Sequence, residues 1–209
     1  MKLQSSDLQN NQPIDARFAF GKQDPDEHMA LSDNLSPHLA WSGAPEQTRS
    51  FVVLCMDPDV PSKADDVNQA GKTLPPDMPR VDFCHWAMVD LAPTITELTT
   101  GECSQGVTPR GKQSPPGPAG SRQGLNDYTG FMAGDPDMAG HYFGYDGPCP
   151  PWNDERLHHY VFTVYALDTD RLELPEEFTG HDVVKAIEGH ILDQASLTGT
   201  YTLNPKVSE

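Results

Sequence analysis

A chain of 209 residues with 36% hydrophobic side chains can build one core, and all-β domains often run to this length. Its net charge of −17 and sequence pI near 4.6 exclude the usual routes to nucleic acid or an anionic membrane leaflet, which need a basic patch. The densest basic stretch, Arg110 to Lys112, carries only two charges, and the acidity reads as a means of staying soluble.

No run of about 18 apolar residues exists, so no transmembrane helix is expected. The polar N-terminus, Met1 to Arg17, lacks an apolar signal-peptide core; an extension over about residues 1–15 and a cytoplasmic, reducing location are expected. The 20 prolines and 17 glycines are spread along the chain and point to a loop-rich globular fold.

In chain order, Ala16–Phe20 and Pro37–Trp41 are weak strand candidates. Phe51 to Met56 is a six-residue apolar run ending at Asp57-Pro58, too short for a buried helix and read as a central strand. Phe83 to Leu91 reads likewise, with Pro93 closing it. A short helical turn is expected over Thr94–Leu98. The stretch from Thr99 to Gly147 is polar, rich in Gly and Pro, and without periodicity; its length suggests a functional loop region beside a pocket. His159 to Leu167 is the strongest strand, dense in aromatic and β-branched residues. A helical turn is expected at Pro175–Phe178, and a helix over His181–Ser196, where Val183, Val184, Ile187, Ile191 and Leu192 share helical spacing. Leu197 to Leu203 is a last weak strand. The sum is a mainly β chain: a two-sheet antiparallel Greek-key sandwich with peripheral helices, within a single domain spanning 1–209.

Cys55 and Cys84 lie in apolar runs and read as buried hydrophobes. Cys103 and Cys149 fall in loops without metal-ligand spacing, so no zinc site is expected, while a Cys103–Cys149 disulfide stays open.

Three clusters carry chemistry. Asp57-Pro58-Asp59-Val60-Pro61 presents a carboxylate at a strand end on a proline-stiffened backbone. His85 sits mid-strand, where alternation groups it with Phe83 and Ala87, opposite Cys84, Trp86 and Met88. Gly147-Pro148-Cys149-Pro150-Pro151 offers a rigid backbone with a glycine that admits close approach, and leads to His158-His159-Tyr160. Only one of the two adjacent histidines can share a cavity with His85. Taken singly, each cluster has a plainer structural explanation: a turn, a satisfied core histidine, a stiff connection.

Together, and in this order, they resemble the phosphatidylethanolamine-binding protein family, in its bacterial branch. Leu39-Ala40-Trp41, Asn126-Asp127-Tyr128 and Ala186 to Leu192 running into Leu197 to Tyr201 add to the likeness, which covers about Ser36 to Tyr201. The resemblance implies a β-sandwich with a small pocket for phosphate-like anions or phospholipid head groups such as phosphorylethanolamine, lined by Asp57, His85, Gly147, Pro148, Pro151, His158 and Tyr160, with His158 facing the ligand. It implies no cofactor, and it includes members that inhibit kinases or proteases and bacterial members that form homodimers. Two departures stand out: His159 replaces the usual Arg, so a structural salt bridge is lost or replaced, and the bulky acidic Trp152–Glu155 would narrow the mouth. No pocket-closing C-terminal helix of the mammalian kind is expected after Tyr201.

Two histidines, a tyrosine and backbone donors can hold a dianion without Lys or Arg, and affinity is then expected to rise as pH falls from about 7 to 6. The alternative is a metal-assisted hydrolase using Asp57, Asp59, His85 and His158. The chain lacks HExxH, GxSxG and a serine paired with a base, so binding without turnover is expected.

Overall fold

A computed structural model of the chain describes residues 1–208. Its strands are β1 (Lys2–Gln4), β2 (Gln12–Pro13), β3 (Gly21–Asp24), β4 (His28–Leu31), β5 (Leu39–Ser42) and β6 (Ser50–Pro61). They continue with β7 (Arg80–Leu91), β8 (Glu97–Leu98), β9 (Arg122–Gln123), β10 (His158–Leu167) and β11 (Ile191–Tyr201). Two short helices, α1 (Tyr128–Phe131) and α2 (Gly180–Ala186), lie at the periphery.

A six-stranded sheet in the order β2-β11-β10-β6-β7-β9 faces a three-stranded sheet, β1-β5-β8, and β3 and β4 form a separate hairpin. All pairings between these strands are antiparallel except β11 with β2. The architecture is therefore the mainly β sandwich expected.

The unbroken apolar character of β6 follows from burial on both faces. Phe51, Val53 and Cys55 enter the core between the sheets, with Trp86, Met88, Phe162 and Val164 from the flanking strands and Leu39 and Trp41 from β5. Val52 and Leu54 point the other way, onto Val183 and Ile187 of the α2 segment and onto Phe178. Each such side chain contributes about 1.5–3 kcal/mol on burial.

Three local expectations are corrected. The helix over His181–Ser196 is only the seven residues of α2, and Ile191 onwards is strand. Thr179 caps it, in a reciprocal box with Asp182. Gly189, at φ +81°, breaks the helical path, and the remaining residues gain a full ladder along β10. Ala16–Phe18 is a single 3-10 turn, not a strand. Thr94–Leu98 ends in β8, and Pro175–Phe178 holds a turn.

Residues 1–15 do not trail from the fold: β1 pairs with β5, β2 with β11, and Leu8 and Ile14 are buried. The 99–147 segment, expected to be irregular, contains β9 and α1 and buries Cys103, Tyr128, Tyr142 and Tyr145. All four cysteines are free thiols, so Cys103 and Cys149 do not pair. Among the described residues, no helix is long and apolar enough to cross a membrane.

Candidate functional site

Strands β6, β7 and β10 are adjacent, and their pleats decide which side chains meet. In β6 the core-facing series Phe51, Val53, Cys55 continues by alternation to Asp57; in β10 the series Phe162, Tyr160, His158 does the same. The polar residues thus occupy the end of the layer between the sheets.

His85 joins them through a bulge. Cys55 pairs with Trp86 but Met56 pairs with Cys84, so His85 has no opposite residue. This overturns the simple alternation in β7: Cys84 packs with Ala87 on the α2 side, whereas Trp86 and Met88 enter the sandwich core. The extra residue re-aims the imidazole, which meets the rings of Phe83, Tyr128 and Tyr160 at 4.8, 5.5 and 5.1 Å. A second bulge, between Asp57 and Val60, accommodates Pro58, which cannot donate to the ladder.

His158 is fully buried between two carboxylates: Nδ1 donates to Asp57 Oδ2 at 2.7 Å and Nε2 to Asp154 Oδ2 at 3.1 Å. Burial alone would lower its pKa, but the charge of Asp57 and the bond to Asp154 reverse this and raise it to about 9. An imidazolium so held has no N–H left to give. His158 lines the cavity with its ring but is not a ligand donor, a correction to its expected role. Asp57 also accepts the Asp59 N–H at 2.8 Å, so its carboxylate orients His158 and its own loop.

The supporting charges continue outward. Arg80 donates to both oxygens of Asp154, at 2.5 and 3.0 Å, and to the Asp59 carbonyl at 2.8 Å. Burial raises the Asp154 pKa, but the His158 and Arg80 hydrogen bonds outweigh it and leave the carboxyl below its ordinary value. His159 turns away from the cavity and is half exposed; Nδ1 lies 2.8 Å from Asp59 Oδ2, beside Arg156 Nε on Asp59 Oδ1. His159 and Arg156 together therefore pair Asp59.

Two groups remain available. His85 donates Nδ1 to the Asp146 carbonyl at 2.8 Å, leaving Nε2 without a protein partner. Burial depresses its pKa, ahead of the opposing pull of Asp57 and the Asp146 carbonyl, so the free ring is neutral near pH 7. Tyr160 is also buried, and its hydroxyl has no hydrogen-bond partner. Both residues line a cavity of about 520 Å³ whose other walls include Val60, Pro61, Phe83, Leu125, Phe131 and Pro151.

Gly147 and Pro148 do not line it. The Gly147 N–H donates to Asn34 Oδ1 at 2.8 Å, its carbonyl accepts Tyr128 Oη at 2.7 Å, and a Cβ there would lie 2.0 Å from the Phe18 carbonyl oxygen. The glycine admits protein backbone, not ligand. Pro148 accepts backbone N–H bonds from Phe20 and Gly21. Trp152, expected at the mouth, instead stacks on His28 with centroids 4.1 Å apart. After Tyr201 the tail packs inward, and Asn204 donates to the Asp154 carbonyl at 2.8 Å.

Sequence reasoning missed Asp154, Arg80, Tyr128 and Asp127 as parts of the site. Asp154 stands four residues before His158, but in a loop that spacing has no fixed meaning; Asn126-Asp127-Tyr128 was visible as a cluster, without a sign that it forms a wall. Asp127 accepts the Cys84 N–H at 2.7 Å and lies 3.2 Å from His181 Nε2 at the cavity edge. Among the described residues, no three His, Cys, Asp or Glu side chains converge as metal ligands.

The family model described as "Phosphatidylethanolamine-binding protein" matches residues 4–202. Among curated proteins, the chain is 31% identical over 202 residues to the UPF0098 protein YbhB of Escherichia coli, covering 97% of this chain and 100% of that one. It is 33% identical over 177 residues to a UPF0098 protein of Methanothermobacter thermautotrophicus, covering 85% and 89%. Among solved structures, E. coli YbcL, titled a new member of the mammalian PEBP family, superposes with a TM-score of 0.70 at 26% identity, over 96% of this chain and 97% of that one. CT736 of Chlamydia trachomatis, titled a PEBP homolog, follows with 0.63 at 26% identity, over 96% and 95%.

Proposed function

The chain belongs to the phosphatidylethanolamine-binding protein family, and we propose that this member binds a small phosphate-type anion, free or as part of a phospholipid head group, without transforming it. The observation that carries the reading is the buried, unpartnered Tyr160 hydroxyl in the same cavity as the unpaired His85 Nε2. A buried hydroxyl without a partner costs about 1–3 kcal/mol, and an anionic oxygen would accept its bond.

Electrostatics makes the binding proton-coupled. Asp57, Asp154, His158 and Arg80 carry two negative and two positive charges and cancel. Inside the cavity an anion can recruit protonated His85, whose pKa the bound charge would raise, while His181 stands at the edge beside Asp127. The cavity is within the range of about 300–1,000 Å³ usual for whole small-molecule ligands, and larger than a bare phosphate needs. We assign its apolar walls to the carbon portion of the ligand. Asp57 and His158 are already bonded to each other, which favours binding over activation of water.

Calorimetric titration with phosphate, phosphorylethanolamine and sulfate at pH 8, 7, 6 and 5.5 tests this. Affinity is expected to rise as pH falls, and to keep rising below about 6.5, because the free His85 titrates below the ordinary histidine value. Sulfate stays dianionic throughout and separates protonation of His85 from that of phosphate. No binding, or an affinity independent of pH, overturns the proposal.

A further inference from the structure

The Asp146 carboxylate is 1% exposed, yet it belongs to the irregular segment before the Gly-Pro cluster. Lys112 Nζ donates to its Oδ1 at 2.7 Å, Asn34 Nδ2 to the same oxygen at 2.8 Å, and Asn126 Nδ2 to Oδ2 at 2.8 Å. Lys112, itself largely buried, is the one cation bonded to this carboxylate among the described residues. The backbone of Asp146 does something separate. Its carbonyl accepts His85 Nδ1 at 2.8 Å, and its N–H donates to the His85 carbonyl at 3.1 Å. One residue is therefore gripped at its side chain by a distant lysine and at its backbone by the pocket histidine.

We propose that Lys112 is a positioning residue for the pocket: through Asp146 it fixes the tautomer and orientation of His85, so that Nε2 is the nitrogen presented to an occupant. A buried carboxylate deprived of its cation must take up a proton or move toward water. Asn34 and Asn126 supply neutral donors but no charge. Movement at Asp146 transfers directly to the carbonyl that defines His85 Nδ1 as the protonated nitrogen, since the second nitrogen's state follows from the bond made by the first. The other charged groups facing His85 are Asp57 from β6 and Asp127 from the residue before α1, with His158 on the adjacent strand face and the neutral phenols of Tyr128 and Tyr160 against the ring. None of them bonds Nδ1, so they do not select the tautomer.

The functional meaning of this proposal rests on the anion-site reading, but the tautomer exists without a ligand, and the two fail in distinguishable ways. The experiment records ¹⁵N shifts of the His85 ring in the full-length protein, wild type against K112R, K112Q and K112M, with phosphate titrations at pH 6. Wild type is expected to show Nδ1–H. K112M is expected to show a mixture of tautomers and phosphate binding weakened about tenfold, the equivalent of one lost oriented hydrogen bond, with K112R restoring both. K112Q keeps a neutral donor and is expected to fall between; it supplies the same comparison if K112M does not fold. An unchanged Nδ1–H signal in the folded K112M or K112Q variant overturns the proposal, even if stability falls. Shifted tautomers with no phosphate binding in wild type would uphold the positioning role and overturn the anion-site reading instead.

Discussion

His158 and Asp57 meet through Nδ1 and Oδ2 at 2.7 Å, with the imidazole fully buried and its other nitrogen held by Asp154. The pair ties β10 to β6 at the polar end of the core, where apolar packing stops and charge takes over.

Removing His158 should therefore damage the frame more than the binding chemistry. His158→Ala leaves two buried carboxylates, with Arg80 the remaining cation on Asp154. Such broken buried pairs cost about 3–5 kcal/mol. Urea denaturation at pH 7 should show a loss of that order with no ligand present; a loss below about 1 kcal/mol would contradict the assigned role.

The same residue sets a pH dependence. The folded value of about 9 lies above the unfolded 6.5, so its stabilisation is complete below about pH 6.5 and is lost as pH rises through 9. Asp59 and Asp154 are lowered below 3.8, so their contribution is present above that value and disappears as pH falls through their folded values. His85, depressed by burial, adds a loss below about 6.5. The buried thiols and phenols bring further loss only above their own ordinary values of 9.0 and 10.0. Denaturation midpoints at fixed intervals from pH 6.5 to 9 should fall in wild type and stay nearly level in His158→Ala.

Tyr160→Phe should separate binding from stability. The hydroxyl bonds nothing in the free protein, so its removal should leave stability unchanged or raise it by about 1 kcal/mol. Phosphate affinity should drop about fivefold to tenfold, the worth of one hydrogen bond. A variant that loses stability but binds phosphate normally would return Tyr160 to a purely structural part.

Gly147→Ala should behave in the opposite manner. A methyl group there meets the Phe18 carbonyl oxygen at 2.0 Å and Tyr145 Oη at 2.9 Å, both fixed within the core. A cost of about 1–3 kcal/mol or more is expected from the forced backbone shift. Thermal unfolding should fall by several degrees with or without saturating phosphate; an unaltered midpoint would mean the Phe18 turn gives way freely.

By itself the sequence was enough for the fold class and the central strands, because β6, β7 and β10 are long, apolar and β-branched, and such runs have few alternatives to a doubly covered sheet. The family resemblance of its motifs also grouped Asp57, His85, His158 and Tyr160. Short polar strands such as β1 and β2 left no signal, since an exposed edge demands no particular side chains. Helical spacing misled at Ile191 and Leu192, where a ladder with β10 outweighs local propensity. The division of labour within the site belonged to the tertiary structure alone. A one-residue bulge decides that His85 faces the cavity, and two carboxylates from separate segments decide that His158 is a buried cation, not a donor. Those outcomes depend on which groups compete for each nitrogen, and partners 101 and 61 residues apart in the chain meet only when the sheet has closed.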